Sequence, residues 1–199
     1  MRQLAQSELD EIDGLEELSD LSFDGLRLAG HDFADRVIEG CTFRGCNLTD
    51  ARFNASTLLR CRFQDATVAG ASFFGATVEE CKMMGLDFRR GVRLGASTFA
   101  TTNLDYALLR GVDLSDASFT ECSLRECDLS GADLSNASLI NCDLTDADWT
   151  GSKTRDTDLR GSRIRGLDLR SGPHGVVLTT GQVVSLAEDI GVKVIDPAG

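Results

Sequence analysis

Proline, tryptophan, tyrosine and histidine are almost missing from this chain of 199 residues, which has two prolines, one tryptophan, one tyrosine and two histidines. So few prolines leave extended backbone uninterrupted over most of the length. Neither His31 nor His174 is matched by a motif to a serine or cysteine nucleophile. There is no phosphate loop, dinucleotide fingerprint or paired metal-ligand spacing. Asp143, Asp146 and Asp148 look superficially like calcium ligands, but the glycine-rich calcium turn is missing. No enzymatic activity, metal or cofactor is expected. No apolar run approaches the roughly 18 residues of a membrane span. Met1-Arg2-Gln3-Leu4 is followed by no apolar stretch before Ser7, so no signal peptide is read and a cytoplasmic protein is expected. Bases are also short, with 20 Lys and Arg against 32 Asp and Glu, a net charge of −12. Direct binding to nucleic acid is disfavoured, because phosphate would be repelled.

What the chain has is a five-residue period. Every fifth position from Phe23 to Phe88 is Phe, Leu, Ile, Val or Met. The register slips by one residue within Arg89-Arg90-Gly91-Val92-Arg93, then resumes at Leu94 and runs to Leu169 with one polar member, Thr154. Neither a helix nor a flat strand sustains such a period, whereas a solenoid does. Side chains on extended backbone alternate faces, so the residue two before each large centre also points inward. That position is small: Ala51, Ser56, Ala71, Ala132 and all seven cysteines, Cys41, Cys46, Cys61, Cys81, Cys122, Cys127 and Cys142. Cysteine in a single repeat phase reads as a small buried hydrophobe in a reducing compartment. His31 falls in the same phase and reads as a satisfied structural residue. Phe23, Phe43 and Phe63 are twenty apart, as are Phe33, Phe53 and Phe73, and Phe99 and Phe119. Four units per coil would stack these rings. Glycine is frequent two after the centre, as in Gly25, Gly70 and Gly131, and suits a sharp corner.

Units such as Ala132-Asp133-Leu134-Ser135-Asn136 and Cys142-Asp143-Leu144-Thr145-Asp146 resemble the A(D/N)LXX motif of the pentapeptide-repeat family. The resemblance implies an all-β fold, a right-handed quadrilateral β-helix, over residues 21–170. Residues 1–20 are expected to cap its start, with Ser7 and Asp10 as a capping box and Leu9, Ile12, Leu15 and Leu18 facing the first coil. The slip at 89–93 is expected to be a bulge that kinks or re-twists the rod.

Charge is unevenly spread. Residues 111–150 carry Asp113, Asp116, Glu121, Glu126, Asp128, Asp133, Asp143, Asp146 and Asp148 against Arg125 alone. Two coils rise about 10 Å at the strand spacing, over which duplex DNA carries roughly six charges. Acids twenty apart, such as Asp128 with Asp148 and Asp113 with Asp133, should form columns. They are the expected partner-binding face. Arg155, Arg160, Arg165 and Arg170 form a neighbouring cationic collar, or pair locally with Asp156, Asp158 and Asp168. Leu59, Phe74, Met84, Tyr106 and Ile140 are outward apolar positions, of which Phe74 and Tyr106 are candidate partner contacts.

Residues 171–199 follow a turn-rich connector with a short strand at Val176–Leu178 and a helix from about Gly181 to Ile190, N-capped by Thr180. Val183, Leu186, Ala187 and Ile190 share one face, and Val192 and Val194 continue as a strand. This tail resembles that of the MfpA and Qnr proteins, the pentapeptide-repeat group linked to fluoroquinolone resistance. The resemblance implies a homodimer joined end to end through these residues, or else a monomeric cap. It also implies a DNA mimic that binds DNA gyrase, a type II topoisomerase, and modulates or inhibits it, lowering sensitivity to quinolones or topoisomerase toxins. Some Qnr proteins carry long loops that contact the enzyme. This sequence has none, which favours an inhibitory or regulatory role over active protection. The other reading is a scaffold with a different protein partner, its acidity serving solubility.

Overall fold

A computed structural model of the chain describes residues 1–166 and 175–195. Leu169, Asp168, Arg170, His174 and most of the connector lie outside the described residues. Within them the chain winds into a right-handed, four-sided solenoid. Its first side carries a parallel sheet of seven strands in the order β2-β4-β5-β6-β7-β8-β9. These are Glu17–Ser19, Val37–Glu39, Thr57–Leu59, Thr77–Glu79, Thr98–Ala100, Ser118–Thr120 and Ser138–Ile140. Partners are twenty residues apart, as in Leu58↔Val78, except across the slip, where Val78 pairs with Phe99. The other three sides are held by isolated parallel bridges such as Arg62↔Lys82, Asp128↔Asp148 and Asp113↔Asp133.

The repeat centres form the core. Phe23, Phe43 and Phe63 stack on the second side with centroids 4.8 Å apart, and Phe33, Phe53 and Phe73 stack likewise on the fourth. The two columns meet edge to face across the interior, as in Phe43–Phe53 at 5.9 Å. Both geometries suit the ring quadrupole. Thr154, the polar centre, is buried as well. At each corner the second residue is left-handed, which is why glycine recurs there. Gly70 (φ +70) adds a steric reason, since a Cβ would sit 2.0 Å from Asp50 Oδ1.

The cysteines do more than fill space. Cys41, Cys61, Cys81, Cys122 and Cys142 all stand in one interior column of the second side, with Thr102 and Ser162 in the same column. At the corner that leads into this column the usual turn hydrogen bond is missing for Cys41, Cys61, Cys81, Thr102, Cys122 and Cys142, and three of these N–H groups find a side-chain acceptor. A neighbour one coil on supplies it. The Cys61 N–H donates to Cys81 Sγ (3.3 Å), the Cys81 N–H to Thr102 Oγ1 (3.2 Å) and the Cys142 N–H to Ser162 Oγ (2.8 Å). The thiols donate in turn to carbonyls of the coil before, as Cys61 does to Ile38 (3.2 Å). Burial pushes the Cys41 thiol up to about 12 and the Cys46 thiol up to about 11, so both stay protonated.

The slip is a three-residue corner, Arg89-Arg90-Gly91, between the third and fourth sides. The sheet on the first side continues past it. Flanking it, however, the ladder opens in two places. On the third side Val68 and Asp87 N–H have no backbone partner, where Leu48 N–H donates to Thr67 (2.8 Å) one coil earlier. On the fourth side Leu94 and Asp113 N–H have none, where Leu114 N–H donates to Asp133 (2.8 Å) one coil later. The chain enters this corner lifted from the coil below and leaves it short of the coil above.

The first end is covered by β1 (Arg2–Gln3), which pairs with β3 (Leu21–Ser22), then by a 3-10 turn Gln6–Glu8 and α1 (Leu9–Ile12). Leu4, Leu9, Ile12 and Leu18 are buried, but Leu15 is 47% exposed, because the helix stops before Gly14 (φ +85). Ser7 and Asp10 make no capping box. Glu8 takes that role, its carboxylate accepting the Ala5 N–H at 2.6 Å. His31 points inward and packs on Phe33 with centroids 4.5 Å apart, yet it is not satisfied: Nε2 is buried without a hydrogen bond, 3.4 Å from Asp13 Oδ1.

At the other end α2 spans Thr180–Asp189. Its N-cap is Thr179, one residue earlier than expected, whose hydroxyl accepts the Gln182 N–H. Gln182 Nε2 donates to Leu159 (2.7 Å) and Ser162 (2.8 Å), which seals carbonyls of the last coil. Leu186 is buried and Ala187 half-buried, whereas Val183 and Ile190 are exposed. Val192 and Val194 form no strand with any described residue, and the Val176–Leu178 strand reduces to one bridge among the described residues, Asp158↔Val177.

Candidate partner-binding surfaces

The nine acids of 111–150 occupy two structural settings. Asp113, Asp128, Asp133, Asp143 and Asp148 stand one residue before a centre. One carboxylate oxygen of each accepts the N–H two residues on, at 3.0, 3.1, 3.1, 3.1 and 2.9 Å respectively. This bond fastens the corner, which is why Asp, or Asn at Asn47 and Asn103, recurs there. The second oxygen remains for other groups. Asp116, Glu121, Glu126 and Asp146 are corner residues with φ of 58, 55, 52 and 58°. A glycine would be less strained at Glu121 and Glu126, but Ala55, Arg60 and Tyr106 hold the same conformation elsewhere, so the strain is not peculiar to acids.

The columns form as expected, but the acids are not one face. Asp113 and Asp133 lie on the fourth side, Asp128 and Asp148 on the third and Asp143 on the second, with the corner acids between. The first side displays Thr98, Ser118 and Ser138 and carries no charge over these coils. Carboxylates therefore wrap three sides and leave the sheet side neutral. Three of them are ion-paired: Asp128 with Arg110 (3.0 Å), Asp133 with Lys153 (2.9 Å) and Asp143 with Arg163 (3.5 Å). All three titrate below the ordinary carboxylate range. Lys153 and then Ser135 lower Asp133. For Asp128 and Asp143, partial burial pushes up, but hydrogen bonds to Ser130 and Arg110, and to Thr145, outweigh it. The other six acids are exposed and form no ion pair among the described residues. Glu126 does accept a hydrogen bond from the Tyr106 hydroxyl at 3.1 Å.

The arginine collar divides. Arg160 chelates Asp158 (2.6 Å), while Arg155 and Arg165 have no ion pair with a described residue. Phe74, Met84 and Tyr106 are about half exposed, and Leu59 and Ile140 are partly covered. Sequence reading passed over a groove of about 390 Å³ on the fourth side, between Phe74, Arg93, Asp113 and Asp116, where the ladder opens. Its signal was the slip itself. At the C-terminal end Val183, Ile190, Val192, Val194 and Ile195 leave an apolar surface beside the buried Leu186. Among the described residues no group of three or more His, Cys, Asp or Glu could hold a metal, and no helix is long and apolar enough to cross a membrane.

Comparison with known proteins places this architecture. A pentapeptide-repeat region is recognised over residues 92–169 and an eight-copy pentapeptide-repeat array over 37–75, together more than half of the chain. The interval between the two matches contains the inserted corner. A trypsin-treated variant of QnrB1, a plasmid-mediated fluoroquinolone resistance protein, is 26% identical over 90% of each chain, with a TM-score of 0.81. A second trypsin-treated variant is 23% identical over 98% of this chain and 97% of its own, with a TM-score of 0.83. Full-length QnrB1 is 22% identical over 96% and 95%, with a TM-score of 0.63. The last two establish likeness of fold. No curated protein sequence matches significantly. The chain belongs to the pentapeptide-repeat family, and its solenoid is Qnr-like.

Proposed function

We propose that this protein binds DNA gyrase in place of a duplex and modulates the enzyme without chemistry of its own, lowering sensitivity to quinolones or topoisomerase toxins. The likeness to QnrB1 across nine-tenths of both chains carries the reading. The charge pattern supplies a physical means. Six exposed carboxylates, free of ion pairs with the described residues, stand at fixed heights on a stiff rod, so a basic groove built for phosphates can exchange counterions with them. The neutral sheet side faces away.

The test is gyrase supercoiling at increasing protein concentration, compared with a variant carrying Asp113→Asn and Asp148→Asn. Asparagine keeps the corner hydrogen bond, as Asn47 and Asn103 do, so the fold survives and only charge is lost. The protein should inhibit at micromolar concentration, and the variant should need at least about tenfold more. Inhibition should weaken steeply between about 50 and 200 mM salt. A wild-type protein without effect on supercoiling or on quinolone-induced cleavage would falsify the gyrase reading. An asparagine variant of full potency would remove the acids from the contact.

The same reading makes the protein a homodimer through α2. Val183 and Ile190 are exposed on the helix, and a copy related by a two-fold axis covers both at once. Light scattering should give a dimer for the native chain and a monomer for Val183→Arg with Ile190→Arg. Leu186 is unsuitable for this test, because it already covers the last coil. A monomeric native protein would leave α2 as a cap alone.

A further inference from the structure

We propose that the fourth-side groove beside the inserted corner receives an arginine side chain from a protein partner. The inference stands apart from the identity of that partner. Phe74 is 52% exposed, and its ring lies against a bare backbone: a Cβ on Gly95 would meet Cδ2 and Cε2 at 3.9 Å. The ring thus lies beside the Gly95 backbone and lines the groove with it, half of its surface open to solvent. The rim holds Asp113 and Asp116, both exposed and neither ion-paired with a described residue. Asp113 commits only Oδ1, to the Ser115 N–H (3.0 Å) and hydroxyl (2.6 Å). The floor is where the ladder opens, so the carbonyls of Val92 and Asp113 have lost the N–H donors that every regular coil supplies.

These features select one occupant. A guanidinium is planar, stacks on an aromatic face, and carries five donors for carboxylate and carbonyl oxygens. An ammonium is compact, matches the ring less well and reaches fewer acceptors. A purely apolar side chain would strip water from two carboxylates without return. Arg93 lines the same groove, leaving two carboxylates against one cation.

The probe is N-acetyl-arginine amide, titrated into the intact protein and followed by backbone amide NMR. Leu94, Gly95, Asp113 and Asp116 amides should shift together and saturate, and N-acetyl-lysine amide should act more weakly. Phe74→Ala should weaken the arginine probe about fivefold with an unchanged melting temperature, since the ring is half in solvent. Asp116→Asn, which leaves the ring in place, should weaken it too. Shifts that do not saturate, that are matched by the lysine probe or by N-acetyl-leucine amide, or that survive Phe74→Ala would overturn the proposal. Supercoiling by the native protein is read without the arginine probe, so either reading can fail alone.

Discussion

Removing Arg90 should make this protein more stable, by about 3–5 kcal/mol, because it restores the five-residue register and lets the ladder close on both sides of the corner. Phe88-Arg89-Gly91-Val92 would then read like Leu109-Arg110-Gly111-Val112 one coil later, with glycine at the left-handed position. The bonds to be gained are identifiable from the regular coils. Val68 and Leu94 N–H would reach the carbonyls of Asp87 and Asp113, and Asp87 and Asp113 N–H would reach Ala66 and Val92. The stretched corner contacts Gly75 N–H to Gly95 (3.4 Å) and Ala96 N–H to Ser115 (3.3 Å) should shorten to the usual length as well. Each hydrogen bond is worth about 1 kcal/mol net of the exchange with solvent, and four bonds of that size set the expected gain. For a domain of this size such a gain corresponds to a melting point about 10 °C higher. Hydrogen exchange at Leu94 and Asp113 is the local check, since both amides should pass from unprotected to ladder-like protection. A melting point that stays level or falls would mean that the inserted residue is accommodated without strain. The deletion also closes the groove beside Phe74, so the arginine probe should lose its site as stability rises. Stability and recognition would then be set against each other at one corner.

The five-residue period made the solenoid legible because every centre has the same task, filling a core one side chain wide. The twenty-residue spacing of Phe23, Phe43 and Phe63 gave the coil length for a similar reason, since like rings stack. Other features were hidden by reading one unit at a time. Cys41, Cys61 and Cys81 share a phase of five with Ala51 and Ala71, which made them look like alanine substitutes. Read at twenty, they share a column with Thr102 and Ser162, which betrays a polar task. The acids of 111–150 follow the same rule. Their columns were visible from sequence, but which sides they cover depends on how four sides close, and whether Asp128 is neutralised depends on Arg110 reaching across the rise of one coil. The ends were least legible. Leu15 has the helical spacing of Leu9 and Ile12, yet Gly14 turns the chain before it can be buried. Val192 and Val194 have strand-like alternation but join no strand among the described residues.

The polar column gives the second large effect. Cys81→Ala, Thr102→Ala and Ser162→Ala together should destabilise the rod by on the order of 5 kcal/mol, although each change keeps a small side chain in the core. The cost comes from three buried N–H groups, on Cys61, Cys81 and Cys142, that would lose their only acceptors. At these three corners the N–H makes no turn bond to the preceding centre's carbonyl, although Ser162 N–H makes one to Leu159 (3.1 Å) in the last coil of the column. An unsatisfied buried donor costs about 1–3 kcal/mol, more than the bond itself contributes when made. The control is the other cysteine column. Cys46 and Cys127 N–H already donate to Phe43 (3.2 Å) and Leu124 (3.4 Å) across their own corners. Cys46→Ala with Cys127→Ala should therefore cost less than about 2 kcal/mol, the loss of two thiol-to-carbonyl contacts. Cys81→Ser should be close to neutral, since a hydroxyl can accept the same N–H, as Ser162 does. Chemical denaturation of the three variants separates the explanations. If the triple variant and the Cys46/Cys127 pair fall by similar amounts per residue, cysteine is present for its volume. If only the triple variant collapses, the column is held by the hydrogen bonds that Cys81, Thr102 and Ser162 accept, and sulfur or oxygen at those three positions serves as an acceptor.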